Sequence, residues 1–347
     1  MNAIVTDKDL FEYALMRPRF SSMSPDTLRI VSGYATHAMA ARHLIEMNAK
    51  RRGLNIDLIY GMAGHDGVSK INHLGFMSLG VHSEFDYDGT FACSYVKKPK
   101  SVHSKVYVWC RGDCPVQAFI GSVNYSESGF NLPSRTETLA ECDPVSALEY
   151  FHETKKATVP CREANREMDF PVKMRQLPDS ARKVDPAVRI EQNERSPFYG
   201  HEKVVLSLLT RNGDVGNGSR LNWGVRPDGT PRESVNANGS RSVRNPNQSY
   251  IGLPASLQRS GFFPDIRQRF TVLTDDDRIF TCVRAQANGK GIETPQDNSE
   301  FGAYFRERLG LESGAYISIQ DLKRYGRCDV VFYKLDSENY VMDFSRP

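Results

Sequence analysis

A histidine and a lysine stand two residues apart in the stretch Ser101-Val102-His103-Ser104-Lys105-Val106-Tyr107-Val108-Trp109. The alternating apolar run that follows predicts a β-strand, and residues two apart on a strand share a face. His103 and Lys105 are therefore expected to point into one site. About a dozen residues later a second apolar run, Val116 to Ile120, ends in Gly121-Ser122-Val123-Asn124. Gly121 and Ser122 offer a small residue and a hydroxyl where a phosphate could approach closely, and Asn124 adds an amide. An imidazole nucleophile or acid, a fixed cation and two neutral donors suit phosphoryl transfer without a metal.

The elements that must hold these groups are readable from periodicity. Strands are expected over 27–34, 54–60, 91–96, 102–109, 116–120 and 137–142. Helical spacing covers 38–50, closed by Lys50, Arg51, Arg52 and Gly53, and helices are also expected over 66–79 and 144–156. Strands alternating with helices predict an α/β sandwich with a mixed sheet. Lys97, Lys98 and Lys100 lie just before His103 and could line a groove that tracks a phosphate backbone.

Composition narrows the class. A chain of 347 residues predicts about two domains. No apolar run reaches the roughly 18 residues of a membrane span, and the first ten residues show no secretory signal, so a cytoplasmic protein without a membrane is expected. The seven cysteines contain no CxxC pair, which fits reduced thiols better than a disulfide framework or a zinc site. The net charge of +3 decides little, but between Arg195 and Phe270 eleven Lys and Arg face five Asp and Glu. Such a local excess is the footprint expected for a polyanion partner.

His103-x-Lys105 followed by Gly121-Ser122-x-Asn124 resembles the signature of the phospholipase D superfamily. That signature normally has an Asp five residues after the Lys; here the position is Cys110. The departure points to the metal-independent restriction endonucleases of the superfamily, of the BfiI and NgoFVII type, which use a Glu downstream of the Asn. Glu137 stands where that Glu is expected. The resemblance implies that one imidazole attacks phosphorus to give a phosphohistidine while a second protonates the leaving oxygen. Lys105, Asn124 and Ser122 would hold the non-bridging oxygens, and Glu137 would accept a hydrogen bond from His103. The chemistry needs two His-Lys motifs, yet of the eight histidines only His103 is followed two residues later by a Lys. A homodimer pairing two His103 residues across a twofold axis is therefore expected.

Pro160 to Pro197 carries charges of both signs and little periodicity, and the expected division is a nuclease and dimerisation domain over 1–160, a linker over 161–195 and a second domain over 196–347. Many short strands, including 270–273, 279–285, 316–319 and 329–335, with a helix over 300–309, predict a mainly-β pseudobarrel. Within it, Leu221, Trp223 and Val225 alternate as in a strand, and Arg220, Asn222 and Arg226 around Trp223 suit base edges. This half resembles the plant-type DNA-binding pseudobarrel of auxin- and abscisic-acid-response factors, through Arg220-Leu-Asn-Trp-Gly, the stretch 247–254 and the stretch 298–310. In that family two arms grip the major groove. The first would come from 220–226, the second from 286–298 or 323–327.

Together these readings predict a sequence-specific endonuclease for double-stranded DNA, needing no cofactor of its own. The resemblance also implies a possible helicase-like ATPase subunit, through which alone ATP would enter. A lipid phosphodiesterase, and a DNA-binding protein whose nuclease-like half is purely structural, are the competing readings. The single motif and the missing Asp oppose the former; the complete His103, Lys105, Ser122, Asn124 and Glu137 set opposes the latter.

Overall fold

The computed structural model describes residues 3–5, 10–80, 88–131, 136–164, 172–173, 201–235 and 239–346. The chain divides into two compact units, Met1–Met174 and Arg175–Pro347. Apart from 161–164 and 172–173, the expected linker lies outside the described residues.

The first unit is built on an eight-stranded mixed sheet. Its order is Ala3–Val5, Thr138–Cys142, Cys114–Gly121, Lys105–Arg111, Thr27–Ser32, Asn55–Tyr60, Phe91–Val96, Thr158–Pro160. Thr27–Ser32, Asn55–Tyr60 and Phe91–Val96 run parallel, and Lys105–Arg111 lies antiparallel against Thr27–Ser32, with Lys105 opposite Ser32. The strand Lys105–Arg111 is buried on both faces up to its last residue. Val106, Val108 and Cys110 join Ala147 and Phe151 of the helix Pro144–Lys155 in one core. Tyr107 and Trp109 face the opposite core, with Met39 and Leu44 of the helix His37–Ala49 and Phe76 of the helix Lys70–Leu79. Helices on both faces of a mixed sheet make the expected α/β sandwich. The helix expected over 66–79 is shorter than its periodicity suggests. Gly67 turns the chain at φ +80, and Ser69 caps a helix that starts at Lys70 by accepting the Asn72 N–H.

The second unit carries a seven-stranded sheet. Its order is Glu202–Ser207, Asp329–Lys334, Asn339–Asp343, Arg269–Thr274, Ile279–Ala285, Gly291–Glu293, Ile251–Gly252. All neighbours are antiparallel except Arg269–Thr274 with Asn339–Asp343. The sheet curls into a nearly closed barrel around Phe270, Phe332, Tyr340 and Phe305. The helix Glu300–Leu309 ends as expected at Gly310, which is left-handed at φ +69. The strand expected over 316–319 does not form. Ser318 accepts the Asp321 N–H while Asp321 accepts the Ser318 N–H, and this capping box starts the helix Ile319–Tyr325 instead. The alternation of Leu221, Trp223 and Val225 also fails as a strand. Arg220–Asn222 is a single tight helical turn that buries Leu221, and Val225, also buried, makes an isolated antiparallel bridge to Pro231 instead of joining a strand.

Candidate active site

The C-terminal ends of the three parallel strands, at Ser32, Tyr60 and Val96, lie at the edge of the sheet where Lys105 begins its strand and Gly121 ends another. Open α/β sheets present ligands at this edge. The loop from Val96 to His103 is laced to it, for Val102 N–H donates to Gly61 O at 3.0 Å. Lys97 and Lys98 are exposed on this loop.

His103 is exposed just ahead of the strand. Lys105 is 7% exposed and its ammonium donates to the His103 carbonyl at 2.7 Å, with Nζ 3.2 Å from Nδ1 and 3.4 Å from Nε2 of the same residue. The strand expected over 102–109 begins only at Lys105, so His103 does not share its face, and the two residues meet instead as a cation against an imidazole. Burial holds the proton affinity of Lys105 below that of an ordinary lysine, and the nearby Glu137 opposes the effect. A desolvated but compensated ammonium is a stronger electrostatic partner for a developing phosphoryl charge than one in water.

Ser122 and Asn124 follow the strand Cys114–Gly121 on a turn held from three sides. Tyr107 donates its hydroxyl to Val123 O at 2.7 Å, Tyr125 N–H donates to Ser32 Oγ at 2.9 Å, and Asn124 Oδ1 accepts Tyr34 N–H at 3.1 Å. With its oxygen engaged, the Asn124 amide has only its NH₂ left to offer. Gly121 has a different role from the one expected of it. A Cβ there would sit 1.9 Å from Thr138 O, so the missing side chain admits the neighbouring strand and leaves no room for a phosphate. That close approach brings Glu137 to Ser122, whose hydroxyl donates to Glu137 Oε2 while accepting Thr138 N–H at 3.0 Å. The expected bond from His103 to Glu137 is not formed among the described residues; Glu137 orients Ser122 and offsets the charge of Lys105. Cys110, at the position of the missing Asp, is fully buried, and burial pushes its thiol up. Among the described residues no group of three or more His, Cys, Asp and Glu could hold a metal ion.

In the second unit the reading loop is divided. Asn222 is fully buried, its amide donating to Ile317 O at 2.8 Å and Gly216 O at 3.3 Å and accepting Ile317 N–H at 2.9 Å. Arg220 is half-buried and donates to Ser207 O at 2.9 Å and Leu209 O at 2.7 Å, while its own carbonyl accepts Tyr250 N–H. It thereby ties one edge of the barrel toward the other. Asn222 spends its amide on the fold and is not displayed toward a base edge, whereas Arg220 commits one guanidinium nitrogen, Nη1, to the two carbonyls. Trp223 is half-buried, edge-on to Tyr250 and under the Arg244 guanidinium at 4.5 Å. Arg226 alone of the four is exposed, with Nη1 3.1 Å from Pro231 O.

Sequence periodicity missed the ribbon that follows. Glu233–Val235 pairs antiparallel with Arg241–Val243, and every described residue of this pair is exposed or half-exposed. Val235 and Val243 are 69% and 70% exposed, with Arg232, Arg241 and Arg244 alongside. Three-residue strands among polar residues carry too little pattern to be seen in sequence. Of the expected second arms, 323–327 has Arg324 paired with Asp321 and Arg327 with Asp329 and Asp343, whereas in 286–298 Gln286 donates to Glu293.

Comparisons with known proteins divide the chain in the same two parts. The family described as the NgoFVII restriction endonuclease N-terminal PLD domain matches residues 8–168, and that described as the NgoFVII C-terminal B3-like DNA-binding domain matches residues 197–336. Among solved structures, NucT from Helicobacter pylori is similar at 18% identity and a TM-score of 0.30, over 46% of this chain and 97% of its own. A polyphosphate kinase from Porphyromonas gingivalis matches at 15% identity and a TM-score of 0.29, over 44% of this chain and 22% of its own. No curated protein matches the chain. Among the described residues no helix is long and apolar enough to cross a membrane.

Proposed function

From the NgoFVII-type restriction endonuclease architecture of this chain, a PLD nuclease domain joined to a B3-like DNA-binding domain, we propose a sequence-specific, metal-independent DNA endonuclease of a restriction-modification system. The observation that carries the proposal is the desolvated Lys105 ammonium held against the open His103 imidazole, beside Ser122 and Asn124. In this reading an imidazole nitrogen of His103 attacks phosphorus in line and forms a P–N bond as the P–O bond to one DNA strand breaks. The departing oxygen takes a proton from a second imidazole. Water then attacks the phosphohistidine, gives its proton to that second imidazole, and the P–N bond breaks. Lys105 and the Asn124 NH₂ stabilise the charge on the phosphoryl oxygens in both steps.

The second imidazole is assigned to His103 of a second copy, because each chain supplies one His-x-Lys. An apolar face beside the site supports this pairing. Ile120 and Tyr150, 46% and 40% exposed, line a groove of about 380 Å³ whose rim includes Ser104, the neighbour of His103. Charge substitution there, such as Ile120→Glu, is expected to give monomers without cleavage. In the second unit, Arg226 and the ribbon 233–235/241–243 are assigned to DNA contact. A helicase-like ATPase remains part of the proposal as a partner; with it absent the purified chain would bind its site and cleave slowly.

The test is plasmid cleavage by the purified protein in excess chelator, with His103→Ala as control. Wild type is expected to cut in chelator, and His103→Ala to bind DNA without cutting. Cleavage that stops in chelator and returns with magnesium, with no partner present, refutes the mechanism.

A further inference from the structure

Gly33 and Tyr34 enter none of the chemistry assigned above, yet both touch it. They follow directly on the strand Thr27–Ser32, at the edge of the sheet where His103 sits. Gly33 is buried, and a Cβ on it would lie 2.7 Å from His103 Cδ2 and 3.3 Å from His103 Cα. Separations under 3 Å are not tolerated in packed protein, so any side chain at this position would displace the imidazole. Tyr34 packs edge-on against the same ring, with centroids 5.6 Å apart and planes at 79°. Gly33 thus lies against one part of the His103 ring, Tyr34 walls another, and the Lys105 ammonium meets its nitrogens.

The dipeptide also reaches the opposite side of the site. The Tyr34 N–H is the donor that engages Asn124 Oδ1. Its carbonyl accepts the Ser32 hydroxyl at 2.6 Å, and the same hydroxyl oxygen accepts Tyr125 N–H. The Tyr34 ring is itself anchored, edge-on to Tyr60 at 6.2 Å and with its hydroxyl donating to Asp66 Oδ2. Asp66 in turn meets His65 Nδ1 at 2.7 Å. One peptide unit therefore fixes the bearing of two groups that come from different strands.

Building on the nuclease reading, we propose that Gly33 and Tyr34 form a positioning socket that holds the His103 imidazole and the Asn124 amide in register with each other. The socket acts through those two side chains and touches no substrate. A near-attack geometry is lost with a displacement of about 1 Å, which costs about a hundredfold in rate.

Three variants, Gly33→Ala, Tyr34→Ala and Tyr34→Phe, test this by two independent readouts. One is kcat and KM for DNA cleavage. The other is the imidazole resonances in ¹⁵N-histidine-labelled protein, with His103 assigned by its loss in His103→Gln. Gly33→Ala and Tyr34→Ala are expected to lower kcat about a hundredfold with KM unchanged. Both should move the His103 resonances and leave those of the buried His37 and His43 in place. Tyr34→Phe keeps the ring and should restore most of kcat. If Gly33→Ala fails to fold, the Ala and Phe variants at Tyr34 decide alone. Unchanged His103 resonances in Tyr34→Ala overturn the socket. So do moved resonances with an unchanged kcat, which would make the contact merely structural. If the wild-type protein cuts no DNA at all, the nuclease reading falls, and the resonances still judge the socket.

Discussion

Replacing Asn222 by Ala separates a folding role from a DNA-reading role. Asn222 has no exposed surface, and its amide is the partner of both the N–H and the C=O of Ile317 at 2.9 and 2.8 Å. Removing it leaves two backbone groups without that partner, at about 1–3 kcal/mol each. It also opens a small cavity in the same place. About 4 kcal/mol of stability should be lost from the second unit, a large share of what a domain possesses. The two tryptophans make this measurable, because Trp109 lies in the first unit and Trp223 in the second, next to the mutated residue. Urea unfolding is followed by Trp223 fluorescence, wild type and Asn222→Ala both carrying Trp109→Phe. With a slope of about 2 kcal/mol/M the midpoint should fall by about 2 M. A midpoint unchanged within about 0.3 M, together with a loss of binding confined to one DNA sequence, would refute the structural assignment and return Asn222 to the DNA surface.

Arg226→Ala should leave that midpoint in place and weaken binding to the preferred DNA site by about 1–3 kcal/mol if it meets a base, as read by titration against specific and random duplexes. Gly121→Ala should lower both stability and cleavage, because its Cβ would force the strand carrying Thr138 away and with it the bond from Ser122 to Glu137; circular dichroism melts and cleavage rates check it together. Acid should destabilise the first unit through His37 and His43, both fully buried and lowered by burial to about 3. Unfolding frees these imidazoles to bind protons below about pH 6.5, so stability is intact above that pH and lost as pH falls toward 3, by about 2 kcal/mol per histidine at pH 5. His43→Gln should flatten that slope in urea titrations followed by Trp109.

The candidate set was legible because its signal is local. His103 and Lys105 are two apart at the start of one strand, and Ser122 and Asn124 follow the end of the next, so spacing alone placed them together. Glu137 was found by resemblance, but its partner was not. Which hydroxyl or imidazole a carboxylate meets depends on how closely two strands approach, and here the bare Cα of Gly121 sets that approach. The reading loop misled for a related reason. Arg and Asn side chains bind base edges and backbone carbonyls with the same donors, and only burial tells which they have. Arg306 shows this most plainly: it reads as one more cation on a helix, yet it is 1% exposed and spends its guanidinium on the carbonyls of Gly302, Ala315, Leu221 and Pro246.

By itself the sequence determined the two-part architecture, the mixed sheet with flanking helices, and the five residues of the candidate site. These follow from periodicity, caps and short motifs, all of which act between residues close along the chain. The tertiary structure decided what those motifs touch: the ammonium of Lys105 against His103, the enclosure of that imidazole by Gly33 and Tyr34, and the burial of Asn222 in the barrel. The enclosure of His103 and the bonds of Asn222 to Ile317 join residues scores of positions apart, and close packing, which permits only one arrangement of neighbours, is what fixes them.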